Sequence, residues 1–292
     1  MIAKQKLALG TVQFGLSYGV TNTTGMTPRH EAAEILQRAR STGIDTLDTA
    51  VGYGDSESVL GQLGIDGFKV ITKIPAVPEN EPNILSWVYE QVRASMGRLR
   101  RPLLGGVLLH RPGQLFEPFG PKLYSALEKL KSDGFIEKIG ISVYEPSELD
   151  QLIPNFKFDL IQAPLSVLDR RLIDSGWAKR LNDLGIEIHA RSCFLQGLLL
   201  MAAANRPAKF KRFESIWQTW DHWLSKTKLA PVEACIHYAT SQPEISRVVV
   251  GVNSATQLDE IVQGLKTIQF ELPVWPSPPE ALLLDPSKWA SL

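Results

Sequence analysis

Eight times along this chain a short apolar run of β character is followed by a run of helical period, and no other feature restricts the fold so tightly. The strand-like runs are 7–10, 44–48, 69–73, 103–110, 136–142, 158–162, 186–190 and 247–251. Helices are expected over 28–42, from about 56 to 63, from about 83 to 99, and over 121–133, 146–153, 171–184, 231–240 and 255–265. In the first of these, Ala32, Ile35, Leu36 and Ala39 recur at three and four, behind Thr27 as N-cap and Pro28 as first helical residue. Strict alternation argues for a parallel sheet covered by helices, and eight units favour closure into an α/β (β/α)8 TIM barrel. An open doubly wound sheet would carry a Gly-rich turn after its first strand. The stretch Leu9-Gly10-Thr11-Val12-Gln13-Phe14-Gly15 lacks that fingerprint.

Two segments interrupt the repeat. Residues 191–229 make a loop after the seventh strand longer than a barrel needs, and such excursions usually serve function. Within it Phe210, Phe213, Ile216, Trp217, Trp220, Trp223 and Leu224 mark an amphipathic helix, suited to extra packing, a lid, or a subunit interface. The C-terminal tail, 268–292, holds Pro273, Pro276, Pro278 and Pro279 and is expected to be irregular. With 44% hydrophobic and 21% charged residues and no dividing Gly, Pro or Ser tract, residues 1–292 read as a single domain.

Thirty-one Lys plus Arg balance 31 Asp plus Glu, so no net field recruits nucleic acid or an anionic membrane, and an anionic ligand needs local groups. Cys193 and Cys235 are too few for a disulfide framework, which fits a reducing compartment. Met1–Lys6 leads into a strand without the apolar core of a signal peptide, and no later run approaches the ~18 apolar residues of a membrane span. A soluble cytoplasmic protein with a small-molecule partner is expected, with no metal site and the oligomeric state left open.

Three ionisable residues follow strand-like runs in succession: Asp48, Lys73 and His110. In a parallel barrel such positions converge on one mouth. Tyr53 lies five residues past Asp48, near enough to turn over the same strand end. A cation beside a phenol favours the phenolate, so Lys73 suits Tyr53 to proton transfer, and Asp48 would keep that Lys charged. Tyr53 and His110 together could then grip one carbonyl oxygen and stabilise charge growing there. Singly, each has a plainer use: Asp48 and Lys73 as a structural ion pair, His110 as a strand-end cap, Tyr53 as packing.

The whole chain resembles the aldo/keto reductase family. Leu47-Asp48-Thr49-Ala50, Tyr53-Gly54, Ser56-Glu57 and Leu60-Gly61 are similar to that family's signature around its Asp and Tyr, Thr72-Lys73 to its Lys strand, and Leu108-Leu109-His110 to its His strand. The resemblance implies Tyr53 as general acid, tuned by Lys73 and Asp48, with His110 orienting a substrate carbonyl. It implies a nicotinamide cofactor, NADP(H) with NAD(H) as the alternative, and reduction of aldehydes or ketones or oxidation of the corresponding alcohols or sugars. Cofactor contacts are implied for Gly10 and Thr11, Ser142 and Gln162, Arg191 and Ser192, Leu195-Gln196-Gly197, and Gly251, Asn253, Ser254, Gln257 and Glu260.

Departures qualify the cofactor. Val143 stands where the family has Asn, Arg191 where many members stack an aromatic, Gly251 and Gln257 where cations grip the 2′-phosphate of NADP, and Ile261 where an Asn meets adenine. Arg206, Lys209, Lys211 or Arg212 of the long loop could supply the missing cation, and Arg191 could instead bind an acidic substrate. Trp217, Trp220 and Arg191 are expected to line the substrate pocket. A cofactor-binding but catalytically weak regulatory or docking subunit is the alternative function, and a Schiff base on Lys73 is a third.

Overall fold

The computed structural model describes residues 6–265 and 270–292. The start, 1–5, and residues 268 and 269 of the expected tail lie outside the described residues.

Strands β1 (Leu7–Gly10), β2 (Thr46–Asp48), β3 (Lys69–Ile74), β4 (Gly106–Leu109), β5 (Ile139–Ser142), β6 (Leu160–Pro164), β7 (Glu187–Arg191) and β8 (Arg247–Gly251) pair in chain order, all parallel, and β8 returns to β1. The barrel is closed. Helices α1 (Arg29–Ser41), α2 (Ser56–Leu63), α3 (Ile84–Leu99), α4 (Gly120–Ser132), α5 (Leu149–Asn155), α6 (Arg171–Asp174), α7 (Trp177–Asp183), α9 (Pro231–Ser241) and α10 (Ala255–Gln263) form the outer layer, α8 (Glu214–Thr227) belongs to the loop after β7, and α11 (Ala281–Leu284) lies near the C-terminus.

Alternation along each strand divides the core in two. Val107 and Leu109 join the main cluster under the helices with Ile35, Leu36, Val88 and Leu127, whereas Leu108 between them meets Ile71 and Leu160 in a separate small cluster. Strand-end positions are thereby aligned. Gly10, Asp48, Ser142, Arg191 and Gly251 each end a strand, Lys73 is next to last in β3, and His110 follows β4 directly.

Several expectations change. Thr27 does not cap α1: Pro28 occupies the cap position with extended backbone, and the Thr27 hydroxyl has no partner among the described residues. The runs 103–110 and 136–142 are longer than β4 and β5, because Leu104 and Ile136 meet only in an isolated bridge. The helix over 171–184 is two, broken where Gly176 takes a φ of 78°, a left-handed conformation unfavourable to other residues. The helix over 146–153 opens as a 3-10 turn, Pro146–Glu148, and α5 keeps Pro154 in its last turn.

The tail is less irregular than its prolines suggest. After Pro279 the apolar run Ala281–Leu284 turns as α11, and the 3-10 segment Pro286–Ser291 follows. Trp289 packs edge-on against Phe210 with ring centroids 4.8 Å apart, and its Nε1 donates to the Leu283 carbonyl. The aromatic face of α8 also turns inward: Trp217 donates to the Phe210 carbonyl, and Trp220, fully buried, to that of Leu199. Packing is therefore the use this structure makes of that face, and neither Trp lines the two cavities at the strand ends. Among the described residues no helix is long and apolar enough to cross a membrane.

Candidate active site

The turn after β2 is held in place by backbone before any side chain matters. Thr49 N and Val51 N donate to the Ile71 and Lys73 carbonyls, so the chain continues to ladder along β3 past the end of β2. Thr11 ties the first strand end to the second, its N and Oγ1 both donating to the Asp48 carbonyl at 2.9 and 3.0 Å. Ser56, opening α2, donates to the Thr11 carbonyl at 2.8 Å. Gly15 then lies so close to this turn that a Cβ there would sit 1.9 Å from the Tyr53 carbonyl oxygen. Only glycine allows that contact, and it fixes the segment carrying Tyr53.

Four expected groups meet at this mouth. Lys73 is 1% exposed and donates to Asp48 Oδ1 at 2.7 Å and to the Thr49 carbonyl at 2.9 Å. Gln162 Nε2 donates to the other carboxylate oxygen at 2.7 Å, so Asp48 is satisfied on both sides. Lys73 Nζ lies 5.1 Å from the centroid of the Tyr53 ring, and the Tyr53 and His110 rings pack edge to face with centroids 6.3 Å apart. Burial opposes the Lys73 charge, but Asp48 and then Tyr53 outweigh it and raise its pKa above the ordinary lysine value. An amine held so firmly as ammonium is a poor nucleophile, which argues against Schiff-base chemistry at Lys73.

His110 goes the other way. Burial, then the Lys73 charge, lower its pKa from 6.5 to about 4, with Arg191 and Arg111 assisting and Asp48 opposing. The imidazole is neutral near pH 7 and offers one N–H. Because the folded pKa lies below the unfolded one, the unfolded chain takes up a proton that the folded protein refuses between pH 6.5 and about 4. Stability should fall by about 2–3 kcal/mol as pH drops through that window, with no further loss from this group below it. Urea midpoints at neutral pH and near the lower end of the window should differ less in His110→Gln than in the parent; equal differences would remove His110 as the cause.

Asp48, Tyr53 and His110 line a cavity of about 570 Å³ spanning the strand ends. Of the expected cofactor residues, Gly10, Thr11, Ser142, Gln162, Arg191, Ser192, Gln196, Gly197, Gly251, Asn253, Gln257 and Glu260 also line it. Leu195 does not: it is buried, with φ of 50°, within the turn that presents its neighbours. Nor does Ser254, which caps α10 by accepting from Gln257 N. Lys73 lies behind Asp48. An adjoining cavity of about 470 Å³ shares His110, Ser142 and Tyr144 and continues over Arg111.

Arg191 is the single Lys or Arg among the described residues lining the larger cavity. Its guanidinium lies 4.4 Å from the centroid of the Tyr144 ring and donates to the Val143 carbonyl at 3.1 Å. Three of the four candidate loop cations are engaged elsewhere. Arg206 pairs with Asp221, Lys209 donates to the Trp289 carbonyl at 3.0 Å, and Arg212 pairs with Glu280 at 3.4 Å.

Sequence reasoning missed Gln13, Tyr18, Thr21 and Tyr144 in this wall. Gln13 is 8% exposed, and its Oε1 is buried with no hydrogen-bond partner among the described residues. Its signal was available, since Gln13 is the one polar residue in the short apolar turn that follows Gly10-Thr11.

A sequence model described as the Aldo/keto reductase family matches residues 6–273. An uncharacterised oxidoreductase of Bacillus subtilis, YqkF, is 25% identical over 281 residues, 89% of this chain and 90% of that protein. The NADH-specific methylglyoxal reductase of Escherichia coli is 28% identical over 220 residues, covering 68% of this chain and 66% of its own. Among solved structures, the holo form of aldo-keto reductase AKR11C1 from Bacillus halodurans superposes with a TM-score of 0.73 at 20% identity, over 91% of this chain and 88% of that one. With a match across nearly the full barrel and oxidoreductases among its relatives, the chain belongs to the aldo/keto reductase family.

Proposed function

We propose that this protein is a nicotinamide-dependent carbonyl reductase acting on small aldehydes or ketones, or oxidising the corresponding alcohols. The observation that carries the reading is the buried Lys73–Asp48 pair beneath Tyr53, with a neutral His110 on the same mouth. Two features of the cavity wall fit a dinucleotide. The Gln13 amide, whose Oε1 has no hydrogen-bond partner among the described residues, forms part of that wall, and a Cβ at Gly251 would lie 2.5 Å from Gln13 Nε2, so the glycine makes room for this side chain.

Tyr53 donates its phenolic proton to the carbonyl oxygen, and the Lys73 ammonium stabilises the phenolate left behind. Asp48 holds Lys73 charged and aimed. His110 donates a ring N–H to the same oxygen, so growing negative charge meets two donors in a partly desolvated site. When bound, the reduced nicotinamide supplies the hydride that reaches the carbonyl carbon, giving the alcohol. In the reverse direction the Tyr53 phenolate takes the alcohol proton. Gln162, midway along β6, and Ser142, its register partner at the end of β5, are polar groups suited to hold the nicotinamide amide.

The relatives direct the first assay, since one is a methylglyoxal reductase and another, from Bacillus subtilis, a glyoxal reductase. Methylglyoxal, glyoxal and a generic aromatic aldehyde should each be offered with NADH and with NADPH, following loss of dihydronicotinamide absorbance. Turnover of at least one pair is expected. No turnover across the panel with either cofactor would count against the reading.

A further inference from the structure

The cavity of about 470 Å³ beside the larger one opens on the imidazole, since His110, Ser142 and Tyr144 belong to both walls. Beyond His110 its wall is Arg111, then Pro112, Gly113 and Gln114 of the 3-10 turn Pro112–Phe116 that follows β4. This turn is braced. Gln114 Oε1 accepts from Val77 N at 2.8 Å and Gln114 Nε2 donates to the Val77 carbonyl at 2.9 Å, while His110 N donates to the Ile74 carbonyl at 3.2 Å. Arg111 is therefore carried on a fixed backbone, which lowers the cost of ordering it around a ligand.

The Arg111 side chain makes no hydrogen bond or ion pair among the described residues. A free arginine on an open surface would mean little, but this one shares a cavity wall with the imidazole placed to meet the carbonyl. A guanidinium is permanently charged and all donor, and its fork matches a carboxylate or a phosphate. The acids of this cavity do not pair with it. Glu148 accepts from Tyr144 N and Glu145 N at 2.7 and 2.8 Å, and Glu117 lies past the far end of the 3-10 turn. Besides burial, the charges of Lys73, Arg191 and Arg111 depress the His110 pKa, and the one carboxylate opposing them there, Asp48, is already bound to Lys73.

We propose that this protein prefers short carbonyl compounds bearing a carboxylate or phosphate at the far end, with the carbonyl at Tyr53 and His110 and the anionic group in the second cavity on Arg111. The inference rests on the carbonyl-reductase reading above. Arg111 holds substrate and touches no reacting atom, so its contribution belongs to KM rather than to kcat.

Two matched pairs of aldehydes test it. Succinic semialdehyde and butanal differ in a terminal carboxylate, and glycolaldehyde phosphate and glycolaldehyde in a phosphate. For each pair the readout is the ratio of kcat/KM, anion over neutral, in which any general loss of activity cancels. At least one ratio should be about tenfold or more in the parent, fall by about tenfold in Arg111→Gln chiefly through KM, and keep part of its value in Arg111→Lys. The pair that behaves so names the anion. Ratios near one in the parent, a ratio that Arg111→Gln leaves in place, or a ratio lost equally in both variants overturns the proposal while the functional reading stands. Turnover of methylglyoxal or glyoxal but of neither anionic aldehyde has the same meaning. No turnover of any carbonyl with NADH or NADPH overturns both.

Discussion

Tyr53→Phe should lower kcat/KM for carbonyl reduction by about 10²–10⁴-fold, the range expected when a positioned general acid is removed. The ring itself has structural contacts that Phe retains, with Lys73 Nζ 5.1 Å from its centroid and the His110 ring packed against it. The variant should therefore fold and bind dinucleotide, losing only the hydroxyl. Steady-state rates would be compared at matched urea midpoints and cofactor dissociation constants. A kcat/KM within about threefold of the parent would remove Tyr53 from proton transfer. A companion change, Lys73→Met, is less informative because it strands the buried Asp48 carboxylate and confounds chemistry with stability.

The second large effect concerns stability. Glu57 is 1% exposed, and its carboxylate collects Thr72 Oγ1 at 2.6 Å, Ser95 Oγ at 3.1 Å and Arg98 Nε at 2.8 Å. This cluster joins α2, β3 and α3 behind the barrel mouth. Arg98→Met leaves the carboxylate buried with two hydroxyl donors and no counter-charge, at an expected cost of about 2–4 kcal/mol, reduced from the fully buried case because Arg98 reaches solvent. Adding Glu57→Gln should recover part of the loss by removing the stranded charge. Urea unfolding of the parent, Arg98→Met and the double variant measures the cycle. If Arg98→Met matches the parent within about 0.5 kcal/mol, the ion pair is energetically idle.

Much of the barrel was legible because its signals are local. Asp48, Lys73 and His110 sit beside strands whose apolar runs end there, so a periodicity argument reaches them directly. The turn holding Tyr53 was harder to derive than to recognise, since it depends on Gly15 meeting the Tyr53 backbone from another loop. The contact of Glu31 with the start of α10 left no trace in the sequence. Its partner, Ala255, is 224 residues away, and no spacing rule within α1 points across the barrel seam. The aromatic stripe on α8 marked a buried face but could not say what covers it, which proved to be Leu199, Phe210 and the 270–292 segment. The break at Gly176 was underestimated for a related reason: apolar period continues through it although the backbone does not.

Closure of the sheet depends on one late pairing. Leu7–Gly10 ladder onto Val248–Gly251, and His189 and Ala190 onto Arg247 and Val248, so the first and seventh strands share a neighbour synthesised near the end of the chain. Until that neighbour emerges from the ribosome, both carry rows of unsatisfied amides and carbonyls open to strand addition from any other polypeptide. Truncation before Arg247 would make this exposure permanent, and the shortened product should aggregate more readily than the full-length protein.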